Sequence, residues 1–262
     1  MKAKANGIEI YYEIHGKEGA PWLTLSHSLA CSVRMWDEQI ATFKDRYRIL
    51  AYDTRGHGQT SAPAGDYTLA QLADDLKGLL DHLKISQTHY CGLSMGGMIG
   101  QTFALKYSGI LQTLVLADTS SRIPPEVGPV WEERIKVAQT QGMQALVQPT
   151  LERWFTAPYR SAHPETMQRI GKLIADTPVP GYVGCCRAIP RLNLTDRLKE
   201  ITVPIQIIVG ADDQGTPVAM SQAIHDNAPG SRLDILPSAA HLSNIEQPQA
   251  FDRALGEFLP RP

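Results

Sequence analysis

The feature that most constrains this chain is Gly92-Leu93-Ser94-Met95-Gly96, followed at once by Gly97. It comes directly after the apolar run Thr88-His89-Tyr90-Cys91 and directly before a helical pattern. A G-x-S-x-G segment between a strand and a helix is a nucleophile elbow, a turn so tight that the serine sits in a strained conformation. Side chains at the flanking positions would clash, which is why glycine stands there. The helix beginning at Met95 then directs backbone N–H groups at any negative charge that develops beside Ser94.

An elbow of this kind requires a buried parallel sheet, and the rest of the chain supplies one. Ile8 to His15 alternates at period two. Trp22 to Ser26, Arg48 to Tyr52, Thr113 to Ala117, Ile205 to Val209 and Arg232 to Leu236 are short apolar runs that end in polar or glycine-rich turns. Such runs predict strands covered on both faces. Leu69, Leu72, Leu76, Leu79, Leu80 and Leu83 form one helical stripe that Thr68 can cap. Met98 to Tyr107 and Gln249 to Leu259 also read as helices. Strands alternating with helices give an α/β fold with a mostly parallel central sheet and helices on both faces; the first strands, with no long helix between them, are expected to start it antiparallel. Residues 120–193 differ. They are helical in pattern, lack a clear strand, and are broken at Ile123-Pro124-Pro125 and Pro178-Val179-Pro180. The expected organisation is therefore an α/β core over 1–119 and 194–262, with a helical cap inserted over 120–193.

Serine is a poor nucleophile without a base. In this architecture the partners follow in the order serine, acid, histidine. His241, in the small-residue loop after the last strand, fits the base. The acid belongs after Ile205 to Val209, where Asp212 and Asp213 both stand; Asp213 is preferred, with Asp212 and Asp118 as alternatives. An oxyanion needs two backbone donors. Met95 N–H is one, and Leu29 N–H, in the loop His27-Ser28-Leu29-Ala30, is expected to be the other. His27 and His57 read as loop braces. Asp53-Thr54-Arg55-Gly56-His57-Gly58 lacks the third glycine of a dinucleotide loop and the lysine of a P-loop, so it too reads as a bracing turn.

Composition narrows the remaining classes. The chain has 262 residues, with Lys plus Arg at 25 against Asp plus Glu at 27. That balance argues against a nucleic-acid partner, and no polybasic segment suits an anionic membrane. No apolar stretch is long enough for a membrane helix, and the N-terminus lacks a signal-peptide pattern. The four cysteines, Cys31, Cys91, Cys185 and Cys186, have neither disulfide nor zinc spacing. No metal, no cofactor, a cytoplasmic location and a monomer or homodimer are the expectations.

Together these motifs resemble the α/β-hydrolase superfamily over nearly the whole chain. Within it the sequence is similar to the 3-oxoadipate enol-lactonases. The resembling pieces are Ser28-Leu29 with Met35-Trp36-Asp37, Tyr52 to Gly58, the elbow, Arg153-Trp154-Phe155-Thr156, Gly181 to Cys186, and Ala240 to Glu246. One departure is His27-Ser28-Leu29-Ala30, where the enol-lactonase pattern has Asn-Ser-Leu-Gly. The resemblance implies a cofactor-free serine hydrolase opening a small carboxylate-bearing lactone. A carboxylate calls for a cation in the pocket; Trp131 and Arg134, three apart on one helix face, are the expected contacts, with Trp154 beside them and Arg160 and Arg187 as weaker candidates. A general carboxylesterase or other lactonase with the same triad, and more distantly a non-catalytic binding protein, are the alternatives.

Overall fold

The computed structural model describes residues 1–260. Eight strands form one sheet: β1 (Lys2–Ala5), β2 (Ile8–His15), β3 (Trp22–Ser26), β4 (Arg48–Tyr52), β5 (Thr88–Leu93), β6 (Leu111–Ala117), β7 (Ile205–Gly210) and β8 (Arg232–Leu236). Their order is β1-β2-β4-β3-β5-β6-β7-β8. The pairs β1·β2 and β2·β4 are antiparallel, and all later pairs are parallel. β1 has no counterpart in the sequence reading, because Lys2-Ala3-Lys4-Ala5 carries no large apolar side chain to mark it.

The helices are α1 (Asp37–Phe43), α2 (Leu69–His82), α3 (Met95–Lys106), α4 (Gly128–Gln141), α5 (Gln144–Trp154), α6 (Ala157–Ala162), α7 (Pro164–Asp176), α8 (Val179–Ala188), α9 (Val218–Asn227), α10 (Ser243–Glu246) and α11 (Pro248–Phe258). Thr68 caps α2, its hydroxyl accepting from Gln71 N at 3.0 Å. Successive strand residues point to opposite faces, and the sheet divides its apolar residues accordingly. One cluster holds Leu25, Ile49, Leu93, Val115 and Ile208 with Phe43 and Phe251. The other holds Leu50, Tyr90, Leu114 and Ile207 with the inward stripe of α2 and Phe103 of α3. β8 departs from the expectation of strands covered on both faces: it is an edge strand whose Ile235 is 48% exposed.

All of α4 to α8 lies between β6 and β7. Arg122 and Asn193 form an isolated antiparallel bridge where this segment leaves and returns. The segment has no separate core. Ile135, Leu146, Leu151, Ile170 and Ile174 belong to the same apolar cluster as the strand residues of the first face. Its geometry follows local signals: Thr156 caps α6, Pro164 opens α7, and Pro178 and Pro180 stop α7 and start α8.

Candidate active site

The elbow occupies the junction of β5 and α3. Ser94 has φ 56° and ψ −115°, outside the regions that ordinary side chains favour. Its N–H donates to Ala117 O at 2.8 Å, and Thr119 Oγ1 donates to its carbonyl at 2.7 Å, so the neighbouring strand holds the strained residue in place. The flanking glycines are required by contact. A Cβ at Gly96 would stand 2.1 Å from Ser26 O, and one at Gly92 would stand 2.3 Å from Gly96 O. Backbone that close admits no side chain.

Folding brings Ser94, His241 and Asp213 into one chain of hydrogen bonds. Ser94 Oγ lies 2.9 Å from His241 Nε2, and His241 Nδ1 lies 2.8 Å from Asp213 Oδ2. With the carboxylate accepting from Nδ1–H, Nε2 is left to accept the serine proton. The three residues are 8%, 5% and 4% exposed. Burial opposes ionisation of Asp213, but the facing imidazole and the donors around it outweigh burial and hold its carboxyl below the usual value. Those donors are Gly215 N at 2.7 Å, Thr216 N at 3.0 Å and Thr216 Oγ1 at 2.7 Å. Thr216 was missed from the sequence; its signal was a hydroxyl three residues beyond Asp213.

The alternative acids stand elsewhere. Asp212 is exposed. Asp118, at the end of β6 with φ 43°, accepts from Gly210 N at 2.8 Å and from Ser243 Oγ. Complete burial, reinforced by the charge of Asp213, pushes its carboxyl well above the usual value. Among the described residues, neither Leu29 N–H nor Met95 N–H donates to a protein acceptor. Both flank the serine side of the site, Leu29 in the cavity lining and Met95 at the start of α3.

His27 and His57 brace the Leu29 loop. His27 Nδ1–H donates to Ser28 O at 2.7 Å while its Nε2 accepts from Thr54 N at 2.9 Å. His57 Nε2 accepts from Ala30 N at 3.0 Å. Burial lowers their pKa values to about 4 and about 3, so both are neutral at pH 7. Nearby, Asp53 accepts from Val33 N and Gln59 N, and Arg55 is bidentate to the buried Asp75. The loop that invited a nucleotide reading is therefore filled by its own hydrogen bonds.

A cavity of about 220 Å³ opens over Ser94 and His241. Trp131 and Arg134 of α4 and Trp154 of α5 all line it, together with Met98, Ile189 and Tyr182. The Arg134 guanidinium lies 4.7 Å from the Trp131 ring centroid, a cation–π arrangement that holds its orientation. Trp154 stacks on His241 with centroids 6.2 Å apart. Arg160 and Arg187 do not line this cavity: Arg160 donates to the carbonyls of Glu152 and Phe155, and Arg187 pairs with Glu132. Arg153 and Gln214 are polar lining residues that the sequence reading missed. Glu246 was also missed. Its carboxylate accepts from Ala240 N at 2.9 Å, beside His241, and from Thr156 N and Oγ1, two residues beyond Trp154. Among the described residues no group of three or more His, Cys, Asp or Glu side chains is arranged to hold a metal, and no helix is long and apolar enough to cross a membrane.

A family model described as alpha/beta hydrolase fold matches residues 21–248. The chain belongs to the α/β-hydrolase family. It is 36% identical to 3-oxoadipate enol-lactonase 2 of Acinetobacter baylyi over 257 residues, covering 98% of this chain and 95% of that one. Among solved structures, the enol-lactonase from Burkholderia xenovorans superposes with TM-score 0.95 at 38% identity, covering 98% of this chain and 99% of that one. A thermophilic esterase from Thermogutta terrifontis, with malate bound, superposes with TM-score 0.92 at 28% identity over 98% and 97% of the two chains.

Proposed function

We propose that this α/β hydrolase is a cofactor-free carboxylic ester hydrolase that opens a small lactone bearing a carboxylate, similar to 3-oxoadipate enol-lactone. The observation that carries the reading is the joint placement of two things in one cavity. One is the Ser94–His241–Asp213 chain; the other is a wall of guanidinium and indole groups with no lining carboxylate. The enol-lactonase relatives support the same substrate class.

In this reading Ser94 Oγ attacks the lactone carbonyl carbon as His241 Nε2 takes the hydroxyl proton. Asp213 holds the imidazole tautomer and stabilises the imidazolium. The carbonyl oxygen becomes an oxyanion received by the Leu29 and Met95 N–H groups, each such donor being worth about 10²–10³ in rate. Collapse breaks the ring C–O bond, and the departing enolate or alkoxide oxygen takes the proton from His241. The leaving oxygen stays tethered to the acyl group, so this protonation prevents re-closure. A water then attacks the acyl carbon while His241 accepts its proton. Ser94 Oγ leaves with that proton, and the open-chain acid departs. Helices α4 to α8 act as a cap that closes the site from above.

The test is paired. A fluorophosphonate probe labels Ser94 in the wild type and fails on Ser94→Ala, and that variant loses about 10⁴–10⁶ of the turnover. A panel of carboxylate-bearing lactone, neutral lactone and short aryl ester gives the highest kcat/KM for the first. Substantial turnover by Ser94→Ala sinks the mechanism. Preference for the aryl ester converts the assignment to a general carboxylesterase.

A further inference from the structure

Arg153 is the residue to which the proposed chemistry gives no part, yet its surroundings are those of a ligand-binding group. It sits in the last turn of α5 and lines the cavity over Ser94. It also lines a larger outer groove of about 690 Å³, and Gln214 is the other residue common to both. The guanidinium is held in place by its own helix: Nη1 donates to Pro149 O at 2.9 Å and Nη2 to Thr150 Oγ1 at 3.1 Å. Neither acceptor carries charge. Among the described residues no carboxylate forms an ion pair with Arg153 or with Arg134.

A partly desolvated cation without a counter-charge is costly, and proteins normally pair such groups. Here the environment adds a second cation. Burial, and then repulsion from Arg134, brings the Arg153 pKa down to about 10. Two guanidiniums sharing a wall, with indole and aliphatic groups making up much of the rest, form an incomplete electrostatic arrangement. An anion in the cavity completes it. A guanidinium is suited to the task because its remaining N–H groups donate to a carboxylate in a planar fork.

We infer that Arg153 is a specificity-determining residue: together with Arg134 it receives the carboxylate of the substrate where the outer groove meets the cavity over Ser94. This rests on the lactonase reading above and extends it in one respect. Acid selectivity is set by two cations on different helices, α4 and α5, rather than by Arg134 alone. A substrate whose carboxylate reaches only one of them is handled less well than one whose carboxylate lies between them.

The experiment compares a lactone carrying a free carboxylate with the primary carboxamide of the same acid, on wild type, Arg153→Met and Arg153→Lys. The expected result is a loss of roughly 10- to 100-fold in kcat/KM for the acid with Arg153→Met. The carboxamide stays within about two-fold, which shows an intact fold and intact Ser94 chemistry. Arg153→Lys, which keeps the charge without the fork, recovers part of the loss. Equal losses on acid and carboxamide make Arg153 a structural residue and overturn the inference. So does an unchanged acid rate while the wild type still prefers the acid; that outcome leaves the lactonase reading standing. A wild type that does not distinguish acid from carboxamide removes the carboxylate reading and this inference together.

Discussion

The sheet end that carries Ser94 and the cavity-facing part of the helical segment above it treat charged groups in opposite ways. On the sheet side nearly every charged or titratable group is answered. Arg55 is bidentate to Asp75, the neutral His27 and His57 each fill a donor and an acceptor role, and Asp213 takes three donors besides His241. In the helical segment Arg134 rests on an indole and Arg153 on neutral acceptors, and neither has a carboxylate. Saturated networks fix geometry, because moving any member strands another in a low-dielectric setting. Unsaturated ones leave binding capacity for something that arrives. On the proposed reading the two sides divide chemistry from recognition, and substitutions on each are expected to fail differently.

The largest effect comes from spoiling the fixed side. Asp213→Asn keeps the size of the acid but can hold the wrong imidazole tautomer, and a fall of about 10⁴ in kcat is expected with KM little changed. Steady-state kinetics on one lactone check this.

Next in size is a pH effect on stability. His27 has its pKa lowered to about 4 by burial, so below pH 6.5 the unfolded chain binds a proton that the folded one refuses. His27 therefore withdraws about 1.4 kcal/mol of stability per pH unit as pH falls from 6.5 towards 4. His27→Gln, whose amide oxygen can still accept from Thr54 N, removes that slope. The variant gains on the wild type by this amount per unit across the window, as urea unfolding at pH 7.5, 6, 5 and 4.5 reports. A constant difference across that range disproves the assignment.

On the recognising side the effect is smaller and confined to binding. Arg134→Met raises KM for a carboxylate-bearing lactone about 10- to 100-fold with kcat nearly retained. A loss mainly in kcat places Arg134 among the groups that act in the transition state and blurs the division. Smallest is Asp118→Asn. Burial pushes the Asp118 carboxyl well up, asparagine tolerates φ 43°, and an amide can still accept from Gly210 N. Turnover within about three-fold of wild type is expected, and a loss of 100-fold returns Asp118 to the reaction.

How much of this was readable beforehand follows the same division. The strands from β2 onward and the elbow were legible because periodicity and glycine placement are local signals. The strand–turn–helix context of Ser94 made the order serine, acid, histidine usable across more than a hundred residues. β1 was not legible, since its residues carry no apolar stripe and pair only because β2 is there. Nor were Arg153 and Thr216. A charged residue on a short helix looks the same in sequence whether it meets solvent or a cavity, and only tertiary packing separates Arg153 from Arg160. Glu246 belonged to a quoted motif, yet its partners Ala240 and Thr156 are fixed by folding, the latter 90 residues away.

That glutamate has a mechanical implication. One carboxylate grips the peptide just before the imidazole and, with its other contacts, the turn that follows Trp154. Raising α5 from the sheet would strip the carboxylate of both Thr156 donors and leave it only Ala240 N to hold. The seating of α5 and the aim of His241 thus share a single side chain, so whatever displaces one is felt by the other.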